Sequence, residues 1–186
     1  KDEYYGEDIS QNVHIVRDQH NNASIEIPFE GEWYVYAGSH IDDINFSKPV
    51  LEGKKSGIYP LQTNDTIRDY YVIKNSKGQA IIAERRLPLQ GTYNVRDMGG
   101  YKNKDGCFVK WGKVFRADNL SGLTGQVLTY LKNIPLRMIV DFRSEYERSH
   151  EPDKIPSSVN KAIIQEISLG NLMVFPDMEN MTDEVS

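Results

Sequence analysis

Asp141 and Arg143 are the residues best placed to take part in chemistry. They close a compact apolar run, Leu136 to Phe142, whose composition predicts a buried strand. Residues two apart on a strand share a face, and open α/β sheets bind their ligands beyond the carboxyl ends of the strands. Two interpretations stay open: Arg143 orients a ligand while Asp141 fixes the surrounding network, or the two side chains form a structural ion pair.

A second candidate segment lies upstream, at Arg96 and Asp97. These residues precede Gly99-Gly100, a pair that permits a tight bend and the close approach of another loop. Arg116 and Asn119 flank the next loop and can reach the same crevice. The alternatives are an ordinary Asp-x-Gly-Gly turn for the first pair and a solvated strand end for the second.

Helix and strand patterns alternate in the part of the chain that carries these residues. Thr124 is a predicted N-cap, and the helix that it opens has one apolar face before Pro135 ends it. Ser144-Glu145-Tyr146-Glu147 has the capping-box pattern of a short helix. With a further strand predicted at Val159 to Ile167, residues 89–186 form a mixed α/β region.

The first half is predicted to be all-β. Stretches rich in Val, Ile and Tyr are separated by clusters of Gly, Asn and Asp. The predicted strands are Asn12 to Asp18, Ala23 to Phe29, Glu32 to Gly38, Gly57 to Leu61, Asp69 to Lys74 and Gln79 to Arg86. So many short strands indicate a small β-sandwich over residues 1–88, similar to immunoglobulin and fibronectin modules. The whole chain is therefore a two-domain α+β protein.

Composition excludes several classes of partner and site. The 186 residues carry a formal net charge of −5 and contain no basic run, so we expect no nucleic-acid partner. No apolar run approaches the roughly 20 residues that a membrane helix needs. The single cysteine, Cys107, excludes an intramolecular disulfide and a Cys-based zinc site. The four scattered histidines give no metal-ligand spacing.

Several motifs of the second half resemble the bacterial tyrosine-phosphatase family that is related to dual-specificity and lipid phosphatases. Members open with an Asn-Phe-Arg-Asp-Leu-Gly-Gly box, which is similar to Asn94 to Gly100. A Trp-Gly-Arg-Leu-Phe-Arg-like strand, a Leu-Ser-x-Leu-Thr helix start and an Asp-Leu-Arg-Ser-x-x-Glu strand end follow in the family. They resemble Trp111 to Arg116, Leu120 to Thr124 and Asp141 to Glu145. The resemblance covers roughly residues 87–167 and implies the first part of an α/β cysteine-phosphatase domain.

The catalytic loop of that family, His-Cys-x-x-Gly-x-x-Arg, does not occur in these 186 residues. In such enzymes a cysteine thiolate attacks phosphorus while backbone N–H groups hold the phosphate. Cys107 does not fit the loop, because Gly106 precedes it in place of His and Lys113 stands in place of Arg. We expect Cys107 to be a small buried residue on a strand, and we expect the loop to lie beyond Ser186.

The resemblance implies a phosphomonoester hydrolase that works through a cysteinyl-phosphate intermediate and needs no cofactor or metal. Its expected substrate is a phosphotyrosine, a phosphoinositide or an inositol phosphate. The implied site residues are Asp141, Arg143 and Asp97 in support of catalysis, and Arg96, Arg116 and Asn119 at the substrate.

A general acid is also required. The candidates are Glu166, at the end of the last predicted strand, and Asp177, after it, in the region where related enzymes often carry the acid. The resemblance further implies an exported bacterial protein, in the periplasm or at the cell surface. We expect the 186 residues to be inactive without the remaining C-terminal part. The alternative hypothesis is a non-catalytic surface-binding module with a phosphatase-like remnant.

Overall fold

The structure is a computed structural model and describes residues 6–92, 94–134, 136–159 and 161–164. Its strands are β1 (Glu7–Asp8), β2 (His14–Arg17), β3 (Ala23–Ile27), β4 (Trp33–Gly38), β5 (Leu51–Gly53), β6 (Gly57–Leu61), β7 (Tyr70–Asn75), β8 (Gly78–Ala83), β9 (Arg96–Asp97), β10 (Phe115–Arg116), β11 (Met138–Asp141) and β12 (Lys161–Ile164). Its α-helices are α1 (Gly125–Asn133) and α2 (Glu145–His150), and a 3₁₀ turn covers Ile41–Asp43. Neither α-helix of the described ranges is long and apolar enough to cross a membrane.

The first half folds into two β-sheets that enclose a common apolar core. The larger sheet has the strand order β1-β8-β7-β4-β5, and the smaller one has the order β2-β3-β6. Neighbouring strands are antiparallel except β1 and β8, which run parallel. Alternate residues of β3 and β4 are buried, as the two-residue period of a strand requires. Ile25, Trp33, Val35 and Ile73 are completely buried between the two sheets.

The strands of this half follow the sequence pattern closely. Each of the six predicted segments contains a strand, with its ends shifted by a few residues. Strands β1 and β5 were not predicted, because segments of two and three residues are too short to show alternation. The likeness to immunoglobulin and fibronectin modules stays a prediction, as do the domain limits 1–88 and 89–186.

A second apolar core forms around α1. The hydroxyl of Thr124 accepts a hydrogen bond from the Val127 N–H over 3.4 Å, which confirms the predicted N-cap. The apolar face of the helix packs against the segments that precede it. The buried members of this core are Leu87, Leu89, Val95, Leu123, Val127, Tyr130, Leu131 and Ile134.

Strands β11 and β12 run parallel and are joined through α2. The capping box predicted for α2 is present, with Ser144 and Glu147 bonded reciprocally to each other's backbone N–H. The expected burial of β11 is wrong, since Met138 and Val140 are 47% and 42% exposed and the adjoining Phe142 is 55% exposed. The reason is that this sheet has only two strands within the described residues.

The two halves share a buried contact centred on Trp111. Its ring packs with Tyr70 and Ala83 of the first half. Its indole N–H donates a hydrogen bond to the Ile81 carbonyl over 3.1 Å. The loop that precedes β10 is therefore fixed against β7 and β8.

Candidate functional site

Arg143 lies just beyond the carboxyl end of β11, where acidic side chains and a backbone carbonyl surround it. Its Nε and Nη2 donate to the two oxygens of Asp141 over 3.0 and 2.8 Å, and Nη2 lies 3.0 Å from Asp153 Oδ2. Its Nη1 donates to the Glu151 carbonyl over 2.9 Å. A guanidinium has five N–H donors, so one Nη1 hydrogen has no partner within the described residues.

Ion pairing fixes the charge of Asp141. Because Asp141 accepts hydrogen bonds from the Arg143 side chain, its pKa lies below its ordinary value. The same hydrogen bond raises the pKa of Arg143. Arg143 thus stabilises the ionised carboxylate form of Asp141. The ion pair that the sequence suggested is present, while a ligand-orienting role for Arg143 stays a prediction.

Asn119 joins the same group of side chains from the loop after β10. Its amide donates to the carboxylate of Glu151, and the neighbouring Leu120 N–H donates to Asp153 Oδ1 over 2.9 Å. We name Asn119, Asp141, Arg143, Glu151 and Asp153 the Arg143 cluster. The sequence singled out Asp141 and Arg143 together, whereas it placed Asn119 with Arg116 near Arg96 and Asp97. Glu151 and Asp153 were missed because they follow α2 without a motif of their own.

Asp97 is completely buried and accepts hydrogen bonds from three directions. The donors are Arg68 Nη1 at 2.5 Å, the Gly99 N–H at 2.8 Å and the Gly112 N–H at 2.7 Å. Arg68 belongs to the first half and also donates to the Glu84 carbonyl over 2.9 Å. Asp97 thus positions two loops and ties them to the sandwich, with no solvent-facing atom to contact a ligand. No sequence signal pointed to Arg68.

The Gly99-Gly100 pair allows the close approach that the sequence predicted. A Cβ on Gly99 would lie 2.4 Å from the Trp111 Cα, and Gly100 has a φ of 74°, in the left-handed region. Arg85 closes the arrangement by donating to the Asp97 and Gly99 carbonyls over 2.8 and 2.9 Å. The segment therefore packs the loop that contains Trp111 closely against β9. The residue types of Asp97 to Gly100 indicated a turn but not this contact.

Arg96 and Arg116 occupy a different place from the Arg143 cluster. They are direct partners across the β9–β10 pair, and both are exposed. Within the described residues neither side chain forms a hydrogen bond to the cluster. The predicted substrate residues thus form two groups by their contacts: Asn119 bonds within the cluster, and the two arginines pair with each other across β9 and β10.

The expectation that Cys107 is buried on a strand is wrong. The residue is exposed and lies in a hairpin turn, where its N–H donates to Asn103 Oδ1 over 2.8 Å. The Asn103 side chain also accepts the Asp105 N–H over 2.9 Å, and the Asn103 N–H donates to the Cys107 carbonyl over 2.7 Å, so Cys107 closes the turn. The candidate acids Glu166 and Asp177 lie outside the described residues, as does the end of the strand predicted at Val159 to Ile167.

Comparison with known proteins addresses the second half of the chain. The model of a family described as the tyrosine phosphatase family matches residues 87–184. A protein of Cupriavidus necator that carries the name of a tyrosine-protein phosphatase is 30% identical over 92 residues, which make up 49% of this chain and 34% of that protein. The chain thus spans about a third of the length of this relative. Because the family match covers more than half of the sequence, the chain belongs to the tyrosine phosphatase family.

Proposed function

We propose that these residues form the scaffold of a phosphomonoester hydrolase that works through a cysteinyl-phosphate intermediate. The observation that carries the proposal is the family match over residues 87–184, which includes the whole Arg143 cluster. The nucleophilic loop would come from sequence outside these 186 residues. The greater length of the C. necator relative supports such a longer architecture.

The β11–α2–β12 unit supplies a place for that loop. Parallel strands present their carboxyl ends at one edge of the sheet, where open α/β folds bind ligands. Asp141 is the last residue of β11, and Arg143 follows it at this edge. The exposed Met138, Val140 and Phe142 support the presence of further protein against this unit, since apolar patches of this kind mark contact surfaces.

The proposed reaction has two steps. A cysteine thiolate attacks phosphorus, so that an S–P bond forms while the P–O bond to the leaving group breaks and the leaving oxygen takes a proton from a general acid. A water molecule then gives a proton to the deprotonated general acid while its oxygen attacks phosphorus, the S–P bond breaks, and inorganic phosphate and the thiolate are released. Asp141 is a weaker candidate for this acid than a carboxyl whose pKa lies near the operating pH, because Arg143 lowers its pKa.

In this scheme Arg143 and Asp97 are positioning residues. Arg143 keeps one N–H for a loop carbonyl or a phosphate oxygen while its other donors bond within the cluster. Asp97 fixes the loops at Gly99 and Gly112. The substrate class is a phosphomonoester, with phosphotyrosine, phosphoinositide and inositol phosphate as the candidates.

The test is an aryl-phosphate assay on the product of the complete open reading frame and on the 186-residue chain. We expect turnover that vanadate inhibits in the former and no turnover in the latter. Cys107→Ser should leave the rate of the complete protein unchanged, because Cys107 lies in an exposed hairpin turn. An inactive complete protein would favour the alternative, a binding module.

For that alternative, the observation in favour is a cleft of about 1130 Å³ between the two halves. It is lined by His14 and Tyr70 from the sandwich and by Tyr101 and Trp111 from the following hairpin. The members of the Arg143 cluster do not line it. A protein that binds a ligand in this cleft and has no phosphatase activity would be the non-catalytic module.

A further inference from the structure

Strand pairing places three arginines side by side, although the sequence contains no basic run. Arg86 is paired with Arg96 through an isolated antiparallel bridge, and Arg96 is paired with Arg116 across β9 and β10. We name Arg86, Arg96 and Arg116 the arginine row.

Backbone hydrogen bonds set the spacing of the row. The Leu87 N–H donates to the Val95 carbonyl over 3.0 Å and the Asp97 N–H to the Arg85 carbonyl over 2.8 Å, so these bonds flank the Arg86–Arg96 pair. Residues in such a pair have Cα atoms about 4.5 Å apart, and those in the neighbouring hydrogen-bonded pair about 5.5 Å. The row is therefore about 10 Å long between its outer Cα atoms.

All three side chains lie on the solvent side of this pairing. Residues directly opposite each other on antiparallel strands project to the same face, and Arg86, Arg96 and Arg116 are each exposed. The next pair along, Asp97 and Phe115, projects to the other face, where Arg68 bonds to Asp97 and lies over the Phe115 ring. The row is thus a surface feature backed by a fixed buried layer.

Among the residues that the structure describes, nothing neutralises the positive charge of the row. Within the described residues no carboxylate forms an ion pair with any of the three arginines. Like charges directly opposite each other destabilise a strand pair. The arginines lack these ion pairs although acidic residues outnumber basic ones in the chain, 27 to 22. A bound anion would remove the repulsion.

We infer that the arginine row binds a compact oligophosphate, an anion with two or three linked phosphoryl groups. Guanidinium groups match phosphate oxygens in bidentate geometry, and adjacent arginines can each engage one phosphoryl group. A nucleic acid is a poorer match, because its binding sites commonly contact about 6–10 phosphates. The inference goes beyond the proposed function, since this binding requires no catalytic loop.

Calorimetric titration of the 186-residue chain with tripolyphosphate in metal-free, low-salt buffer tests the inference. We expect one site per chain, affinity that falls as salt is added, and much weaker binding of orthophosphate. Changing Arg86, Arg96 and Arg116 together to Gln should weaken binding about tenfold or more, because charge-assisted hydrogen bonds are lost.

The matched control changes Lys48, Lys55 and Lys77 to Gln, which alters the net charge equally at exposed positions of the sandwich. This control should bind tripolyphosphate within about twofold of the unchanged chain, since screening limits the reach of distant surface charges. Thermal unfolding should show that both variants are folded, and the single change Arg96→Gln should also weaken binding.

Three results would overturn the inference. One is the absence of tripolyphosphate binding to the unchanged chain. Another is an equal loss of affinity in the arginine and lysine variants, which would indicate general charge attraction. The third is tighter binding of a single-stranded oligonucleotide than of tripolyphosphate, which would indicate a nucleic-acid surface.

Discussion

The buried pair of Arg68 and Asp97 links the two halves of the chain at the level of single residues. Their side chains are 2% and 0% exposed, and the Nη1–Oδ2 distance is 2.5 Å. Removal of one partner from a buried ion pair leaves the other charge uncompensated. Removal of either side chain is therefore expected to destabilise the fold, because the other charge would stay buried without a partner. This holds even where the intact pair adds little net stability.

Arg68→Met should lower the free energy of unfolding by about 3–5 kcal/mol, measured by urea denaturation. The control is Lys54→Met, which breaks the exposed pair with Glu32, whose side chains are 76% and 60% exposed. The control should leave the unfolding midpoint unchanged, because water screens exposed pairs. An equal loss of unfolding free energy in the two variants would show that the buried pair stabilises the fold no more than the exposed pair does.

The pH dependence of stability should reveal the Asp141–Arg143 pair. Hydrogen bonds from Arg143 lower the pKa of Asp141 in the folded protein. The ionised carboxylate therefore stabilises the fold fully above the ordinary pKa of aspartate, about 3.9. This stabilisation is lost as the pH falls through the lowered pKa of the folded state. Asp141→Asn should therefore reduce the urea midpoint at pH 7 and make less difference below about pH 4.

Asp105→Asn, in the exposed hairpin turn, is the control for that experiment and should leave the midpoint unchanged at either pH. If the urea midpoint of the Asp141→Asn variant differed from that of the unchanged chain by the same amount at every pH, the charge of Asp141 would not be the cause of the lost stability.

Residue-level prediction succeeded where a local pattern existed. The spacing of Asp141 and Arg143 predicted a shared face, and the structure pairs them directly. Glu151 and Asp153 reach Arg143 from beyond α2, and Arg68 reaches Asp97 from 29 residues away. Contacts of this kind depend on tertiary packing, which composition and periodicity do not record.

At the scale of elements, the turn at Gly99 is the most constrained connection near the site. A Cβ there would lie 2.4 Å from the Trp111 Cα and 2.8 Å from the Trp111 backbone nitrogen. Because backbone atoms cannot rotate away as a side chain can, Gly99→Ala requires the β9 and β10 segments to move apart. The pairing of these strands therefore depends on the absence of a side chain at this position.

Gly99→Ala should destabilise the chain by about 1–3 kcal/mol through overpacking, seen as a lower thermal midpoint. Gly125→Ala is the matched control, since a Cβ at the start of α1 meets no atom within 4 Å. Alanine also favours a helix, so the control should be neutral or slightly stabilising. A Gly99→Ala variant as stable as the control would contradict the close contact.

Elements with a clear period or cap were predictable, and others were not. The alternation in β4 and the Ser144 capping box both agree with the structure. The apolar composition of β11 predicted burial, but its exposed residues show that composition alone cannot say whether a neighbouring strand is present. The arginine row was missed because it arises from pairing between segments distant in sequence.

At the scale of the whole molecule, the two halves depend on each other. Trp111 is buried against Tyr70 and Ala83, and Asp97 is neutralised by Arg68. A chain that lacks residues 1–86 would expose the indole and leave a carboxylate without its cation. The sandwich is thus expected to support the fold of the family region.

Residues 87–186 expressed alone should therefore lack a cooperative unfolding transition and should elute as an expanded or aggregated species in size-exclusion chromatography. The 186-residue chain under the same conditions is the reference. A cooperative transition of the shorter chain at the same midpoint would show that the family region folds without the sandwich.

We propose that this scaffold serves a cysteine nucleophile outside the 186 residues. Rapid acid quenching of the complete gene product during aryl-phosphate turnover, followed by peptide mass analysis, tests it most directly. We expect one phosphoryl group on a cysteine other than Cys107, in a segment outside these 186 residues. Phosphorylation of Cys107, or steady turnover without any phosphocysteine, would contradict it.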